Sequence, residues 1–247
     1  MDTNVTHTAV FFDVDDTLYD HLTPFRKALE TVVATTEAFP YEEAYQRMRY
    51  YSDILSLEMG GAGKMEEGQA TETMRRRRFQ LTLAEFGIEV SEQQAADIQA
   101  AYISCQFDIH MFDGARELLK RLSGAGFVIG LITNGAEAHQ MSKIKAMELG
   151  ALIPPERQFV SGKLGHDKPD RRIFEYVNEQ TGTNPASCIY VGDSWRNDVI
   201  GAIEAGWSVI WFNHRGAQPE SGHVPHHIAS SYEQLNRLLM RNEVRSV

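Results

Sequence analysis

The chain has 247 residues, 43% of them hydrophobic, and a formal net charge of −10. It is long enough to bury a substantial core. Its acidic balance excludes a general nucleic-acid binder, whose phosphate contacts need a basic face. No apolar run approaches the roughly 20 residues that span a bilayer, and no basic segment leads into an apolar one near the start, so neither a membrane partner nor a secretory signal is expected.

The first element is Ala9–Phe12, a short apolar run that reads as a buried strand. It leads into Asp13-Val14-Asp15-Asp16-Thr17. Carboxylates crowded at a strand end repel one another and resist ionisation, so a cation or a reaction has to account for them. Strand side chains alternate in direction, so Asp13 and Asp15 share a side if the extended geometry lasts that far. The plainer alternative is that Asp15 or Asp16 caps the following turn.

Residues 19–108 carry no convincing strand. Helical patterns cover Phe25–Thr36, Tyr41–Leu57, Gln69–Phe86 and Ser91–Gln106, with Pro40 and Gly60-Gly61-Ala62-Gly63 as breaks. This span reads as a helical domain inserted after the first strand. Two chain crossings would join it to the core, which suits a cap able to rock over a sheet edge. Gly63-Lys64 lacks the upstream glycine and following Ser or Thr of a P-loop. Arg75-Arg76-Arg77-Arg78 would point all around a helix axis, giving a solvated surface; the alternative is that one of them reaches an anionic substrate.

Three further apolar runs read as parallel strands: Val128–Ile132, Cys188–Val191 and Val209–Phe212. Helical patterns alternate with them. Asp113 is placed to cap one carrying Leu118, Leu119 and Leu122, with Gly126 past its end. Asp170 is placed to cap a second, and Asn197–Ala205 forms a third that stops at Gly206. Strands alternating with helices indicate an α/β, doubly wound parallel sheet of Rossmann-like type, built from residues 1–18 and 109–247. The two cysteines, Cys105 and Cys188, read as free thiols in a reducing, cytoplasmic setting. His223, His226 and His227 sit near Gly222 and Pro225 without cysteine partners or helical spacing, and read as surface histidines rather than a zinc site.

Open α/β sheets bind ligands beyond the carboxyl ends of their strands. The residues expected there are Asp13 and Asp15, then Thr133-Asn134-Gly135, then Lys168-Pro169-Asp170, then Gly192-Asp193-Ser194 with Asn197 and Asp198. Several carboxylates, a hydroxyl, backbone N–H groups and an ammonium suit phosphoryl transfer, which consists largely of positioning and positive charge. A carboxylate can act as nucleophile if cations offset its repulsion with the phosphoryl group. Mg2+ prefers oxygen ligands, and Lys168 would add a second positive charge. Each piece has a structural alternative: an Asn-Gly turn, a Pro at the first helical position, aspartates as helix caps.

In these motifs the chain resembles the haloacid dehalogenase-like (HAD) hydrolase superfamily, in its branch with a helical cap after the first motif. The motifs are Asp13-Val14-Asp15-Asp16-Thr17-Leu18, Ile132-Thr133-Asn134-Gly135, Lys168-Pro169-Asp170 and Gly192-Asp193-Ser194-Trp195-Arg196-Asn197-Asp198. The resemblance implies that Asp13 is nucleophile and Mg2+ ligand. It implies that Asp15 protonates the leaving oxygen, then activates water, while its backbone carbonyl binds the metal. Thr133 and Asn134 would hold the phosphoryl group, and Lys168 would stabilise its charge together with that of Asp13. Asp193 would bind Mg2+ directly, with Asp198 supporting through water or Lys168. Phosphatases of the family carry an acid at the Asp15 position and its dehalogenases do not, so hydrolysis of a small phosphorylated metabolite is expected; mutases keep the acid too. The stretch from Val191 to His214 with Gly165–Asp170 is similar to bacterial house-cleaning nucleoside 5′-monophosphate phosphatases. A non-catalytic ligand-binding relative would have lost a motif residue, and none is lost.

Overall fold

Residues 9–60 and 68–240 are described by the computed structural model of the chain. The Gly63-Lys64 pair weighed against a P-loop lies outside the described residues. The chain divides into two compact units, Met1–Asp20 with His110–Val247, and His21–Ile109.

In chain order, β1 (Ala9–Phe12) is followed by four helices: α1 (Leu22–Val33), α2 (Tyr41–Glu58), α3 (Gln69–Glu85) and α4 (Glu92–Cys105). These helices form the second unit. Their buried faces share an apolar cluster that includes Phe25, Tyr45, Phe79, Ile98 and Tyr102. Helix α4 starts in a capping box: Ser91 Oγ accepts from the Gln94 N–H, and the Gln94 side chain accepts from the Ser91 N–H.

The first unit continues with α5 (Ala115–Gly124), β2 (Val128–Thr133), α6 (Glu137–Ala146), β3 (Gln158–Val160), the single turn α7 (Ser161–Leu164), α8 (Arg171–Thr181) and β4 (Cys188–Gly192). It ends with a π-helical turn at Trp195–Ile200, α9 (Gly201–Glu204), β5 (Ser208–Phe212), β6 (His227–Ala229) and α10 (Tyr232–Met240). The six strands form one parallel sheet in the order β3-β2-β1-β4-β5-β6. This doubly wound order reverses direction beside β1, where a crevice opens at the strand ends. All four residues of β1 are fully buried, which explains its unbroken apolar run: neighbouring strands flank it and both faces are covered. Phe11 lies opposite Gly130 of β2, and a Cβ at Gly130 would stand 2.5 Å from the Phe11 ring, so the glycine makes room for the aromatic.

The structure corrects several local expectations. Asp113 does not cap α5; that helix is entered through Gly114 at φ +83°, with no side-chain cap. Asp170 does cap α8, accepting from the Arg172 N–H, so Pro169 precedes the cap and is not the first helical residue. The helix expected from Asn197 begins two residues earlier as a π turn, capped by Ser194. Strands β3 and β6 were not anticipated; each is a three-residue edge strand, and β6 carries His227. His226 Nδ1 accepts from the Val209 N–H, so this histidine serves the sheet edge.

Candidate active site

The sheet order brings the carboxyl ends of β1, β2 and β4 side by side. Asp13 leaves β1 with its N–H still bonded to Val191 O at 2.9 Å, so the strand geometry carries one residue further and fixes the carboxylate at the crevice. Asp16 then adopts φ +59°, a left-handed conformation that aspartate tolerates better than most residues. It is fully buried and held by Arg215, whose guanidinium donates to Asp16 Oδ1 at 2.8 Å and to Asp20 Oδ1 at 2.6 Å. The early alternative of Asp16 as a helix cap is thus replaced by a buried ion pair that turns the chain.

Lys168 is the centre of the cluster. Its ammonium, 3% exposed as a residue, donates to Asp13 Oδ1, Asp198 Oδ1 and Tyr190 Oη, each at 2.7 Å. Tyr190 in turn donates to Ile132 O at 2.8 Å, linking β4 to the end of β2. Asp198 sits in the π turn, and its second oxygen accepts from the Ser194 N–H at 2.9 Å. Gly192 is required here, since a Cβ would stand 2.4 Å from the Asp198 carboxylate.

Asp193 is positioned through its backbone. Its N–H donates to Thr17 Oγ1 at 3.1 Å and its carbonyl accepts from Trp211 Nε1 at 2.8 Å. Ligand oxygens of Asp13, Asp193 and Asp198 lie within 4.8 Å of one another. With all three carboxylates ionised, the single ammonium of Lys168 leaves two negative charges, which one divalent cation would balance. An all-oxygen donor set fits a hard cation such as Mg2+. Asp198 has both oxygens engaged by Lys168 and Ser194, so Asp13 and Asp193 are the better placed pair to hold one.

The electrostatics follow from burial. Desolvation pushes the Asp13 carboxyl up to about 7; Lys168 pulls it down, and the charges of Asp198 and Asp15 push it further up. Burial pulls the Lys168 ammonium down, but Asp13 and Asp198 outweigh it and the net direction is upward. Both partners of one ion pair are therefore raised. One ammonium shared by two buried carboxylates stays firmly charged and cannot fully neutralise either. The Tyr190 phenol is raised by burial, then by Asp198 and Asp13.

Thr133 ends β2 and is buried. The Asn134 side chain does not face outward: Oδ1 accepts from the Lys168 N–H and Nδ2 donates to Lys168 O, both at 2.8 Å. What Asn134 leaves for a phosphoryl oxygen is its backbone. The Asp15 carboxylate is also committed to side chains. It accepts from Lys143 Nζ through both oxygens at 2.8 Å, from Gln140 Nε2 at 3.0 Å and from Tyr19 Oη at 2.5 Å. The Asp15 side chain is thus committed away from the cluster of Asp13, Asp193 and Asp198.

Sequence reasoning missed Tyr190, Lys143 and Gln140, and it weighed Tyr19 equally as a pocket-lining residue and as a packing aromatic. Tyr190 lies inside an apolar strand. Lys143 and Gln140 are three residues apart, one turn of helix, and that spacing just after Thr133-Asn134-Gly135 was the available signal.

A family model described as haloacid dehalogenase-like hydrolase matches residues 7–206. A glyceraldehyde 3-phosphate phosphatase of Methanothermobacter thermautotrophicus is 31% identical, over 87% of this chain and 90% of that protein. The pyrimidine 5′-nucleotidase YjjG of Escherichia coli is 28% identical, over 94% of this chain and 98% of its own. Among solved structures, the magnesium-bound HAD hydrolase YfnB of Bacillus subtilis superposes with a TM-score of 0.71 at 24% identity, covering 95% of this chain and 99% of that one. A dehalogenase superposes with a TM-score of 0.74 at 22% identity, covering 96% and 98%; at these identities the likeness is one of fold.

Proposed function

We infer that this chain, which belongs to the haloacid dehalogenase-like hydrolase family, is a phosphomonoesterase acting on a small phosphorylated metabolite. The observation that carries this reading is the Lys168 ammonium shared between Asp13 and Asp198 beside Asp193. It gives a nucleophilic carboxylate with positive charge at hand and a place for a divalent cation. Mg2+, held by Asp13, Asp193 and the Asp15 backbone carbonyl, would supply the positive charge that lets a carboxylate meet an anionic phosphoryl group.

The residues divide the reaction into two displacements. An Asp13 oxygen attacks phosphorus, the ester P–O bond breaks, and the leaving oxygen takes a proton from Asp15, which enters this step as the carboxylic acid with one oxygen released from Lys143. The products are a free alcohol, an aspartyl-phosphate on Asp13 and the Asp15 carboxylate. Water then attacks the same phosphorus and gives its proton to Asp15. The bond to Asp13 breaks, releasing phosphate and restoring both aspartates. Thr133 and the backbone N–H groups after β2 hold the phosphoryl oxygens, with the positive charge of Lys168 beside them. Asp198 and Tyr190 hold Lys168.

Asp15 also argues for esters over halides. A halide leaves without a proton, whereas an alkoxide needs one, and a carboxylic acid two residues from the nucleophile can deliver it. For substrate, we propose a nucleoside 5′-monophosphate, supported by the likeness to the pyrimidine 5′-nucleotidase. The likeness to glyceraldehyde 3-phosphate phosphatase favours a phosphosugar phosphatase as the second reading, with a mutase of the same fold behind it. The helical unit is proposed as the specificity cap. No helix among the described residues is long and apolar enough to cross a membrane. A cytoplasmic setting is part of the proposal, supported by the free thiols of Cys105 and Cys188.

The test is phosphate release from nucleoside monophosphates, sugar phosphates and an aryl phosphate, with Mg2+ and with chelator. Mg2+-dependent release with nucleotides leading supports the proposal. Sugar phosphates leading would move the assignment to the second reading, and no release from any ester would overturn the phosphatase.

A further inference from the structure

The side chains around Asp15 form a second buried polar cluster that the reaction scheme above does not use. Lys143 is 1% exposed, yet its ammonium points at one acceptor group, the two oxygens of Asp15. A lysine is buried at a considerable desolvation cost, recovered only where its partner geometry is good. Here both oxygens are engaged at 2.8 Å.

Gln140 shows the same bias. Its Nε2 donates to Asp15 Oδ2 at 3.0 Å and to Asn134 O at 2.9 Å. Its Oε1 is buried and accepts no hydrogen bond among the described residues. Leaving a buried acceptor unmet is unfavourable. The amide nonetheless has to face this way, because a flip would set its oxygen against two acceptors. Gly135 permits the arrangement: at φ +136° it carries no side chain, and a Cβ there would stand 3.0 Å from Gln140 Nε2. One amide thus spans the carboxylate of Asp15 and the backbone of the loop that follows β2.

We propose that Lys143 is the positioning residue of Asp15, and that Gln140 ties this acid–base carboxylate to the phosphoryl-holding loop. The inference rests on the phosphomonoesterase reading. A free aspartate turns about two side-chain bonds, and proton delivery requires hydrogen-bond reach of one particular ester oxygen. Lys143, Gln140 and Tyr19 fix those two bonds from three directions. Helix α6, which carries Lys143 and Gln140, begins three residues after Asn134, so a displacement of the loop carries the acid–base group with it.

The experiment compares kcat/KM for an alkyl phosphate, whose leaving oxygen needs a proton, with that for p-nitrophenyl phosphate, whose leaving oxygen does not. Wild-type protein is run beside Lys143→Met and Lys143→Arg, with Mg2+ present. For Lys143→Met the alkyl ester should lose about 100-fold and the aryl ester under about tenfold, within the range that general acid catalysis supplies. KM should stay near the wild-type value, and Lys143→Arg should recover part of the alkyl rate. A merely structural role would lower both esters alike. Equal losses, no loss, or a gain in Lys143→Met would each overturn the proposal. Should Lys143→Met fail to fold, Lys143→Gln takes its place under the same expected and overturning ratios. Gln140→Leu reads the same ratio while keeping the ion pair; the alkyl ester should lose about fivefold more than the aryl, as for one hydrogen bond. An unchanged ratio in folded Gln140→Leu would overturn its part. Wild-type protein that hydrolyses neither ester would overturn the phosphomonoesterase reading itself, and this inference with it.

Discussion

Asn134 and Lys168 are joined twice: the carboxamide of Asn134 accepts from the backbone N–H of Lys168 and donates to its carbonyl, both at 2.8 Å. The pairing closes the loop after β2 onto the loop that carries the lysine. It sets the root of the Lys168 side chain, and hence where the ammonium can reach. Asn134→Ala should lower kcat about tenfold, as expected for two neutral hydrogen bonds, with a small loss of stability. Steady-state kinetics beside a thermal melt check this; a full-rate Asn134→Ala would mean Lys168 is held by its side-chain partners alone.

Asp13→Asn should abolish turnover, since it removes the proposed nucleophile while keeping the shape. The same variant has a signature in stability. The Asp13 carboxyl is raised to about 7 in the fold, above its ordinary value. A raised carboxyl contributes stability that is complete below its unfolded pKa and is lost as pH rises through the folded one. Asparagine does not titrate. The melting temperature of Asp13→Asn relative to wild type, without divalent cation, should therefore increase from pH 5 to pH 8. For a chain of this size each kcal/mol appears as about 2–4 °C. A difference that stays flat with pH would show that Lys168 neutralises Asp13 completely.

Added Mg2+ should raise the wild-type melting temperature, because a cation binding the folded state alone stabilises it by about 2.7 kcal/mol at 100 times its dissociation constant. Asp193→Asn should lose most of that increment. It keeps the backbone contacts to Thr17 and Trp211, so its unliganded melt should resemble wild type. An equal Mg2+ response in both proteins would remove Asp193 from the metal site.

Gly192→Ala is expected to be more damaging than its single methyl suggests. The new Cβ would stand 2.4 Å from the Asp198 carboxylate, forcing that group off Lys168 or off the Ser194 N–H. Activity should fall by about 100-fold or more, with destabilisation of roughly 1–3 kcal/mol. Denaturant melts and kinetics test it; wild-type behaviour would mean the π turn shifts freely.

Much of the sheet was readable because four strands are buried on both faces and so appear as unbroken apolar runs. Gln158–Val160 and His227–Ala229 escaped because edge strands of three residues leave no period to detect. The candidate site was readable where charge is costly and stands out, as at Asp13, Lys168, Asp193 and Asp198. It was not readable where a polar group hides in an ordinary pattern. Tyr190 is one of the buried residues of an apolar strand, and Lys143 looks like any helical lysine until the fold turns it inward. Asp113 and Asp170 both precede helices, but only Asp170 caps, because Gly114 makes the entry to α5 through a left-handed turn. Such choices depend on backbone angles that a residue's identity does not determine.

Tyr19 bridges to both Asp15 and Met111, and the Phe112 N–H donates to Leu18 O at 2.8 Å. The chain segment leaving the first unit and the segment returning to it are therefore stitched together where the helical unit departs. The ends of the insertion meet at a fixed gate in the first unit, so the sheet experiences the same short closure whatever lies between. An inserted module of another length would meet the sheet through the same closure, without disturbing the fold beneath it.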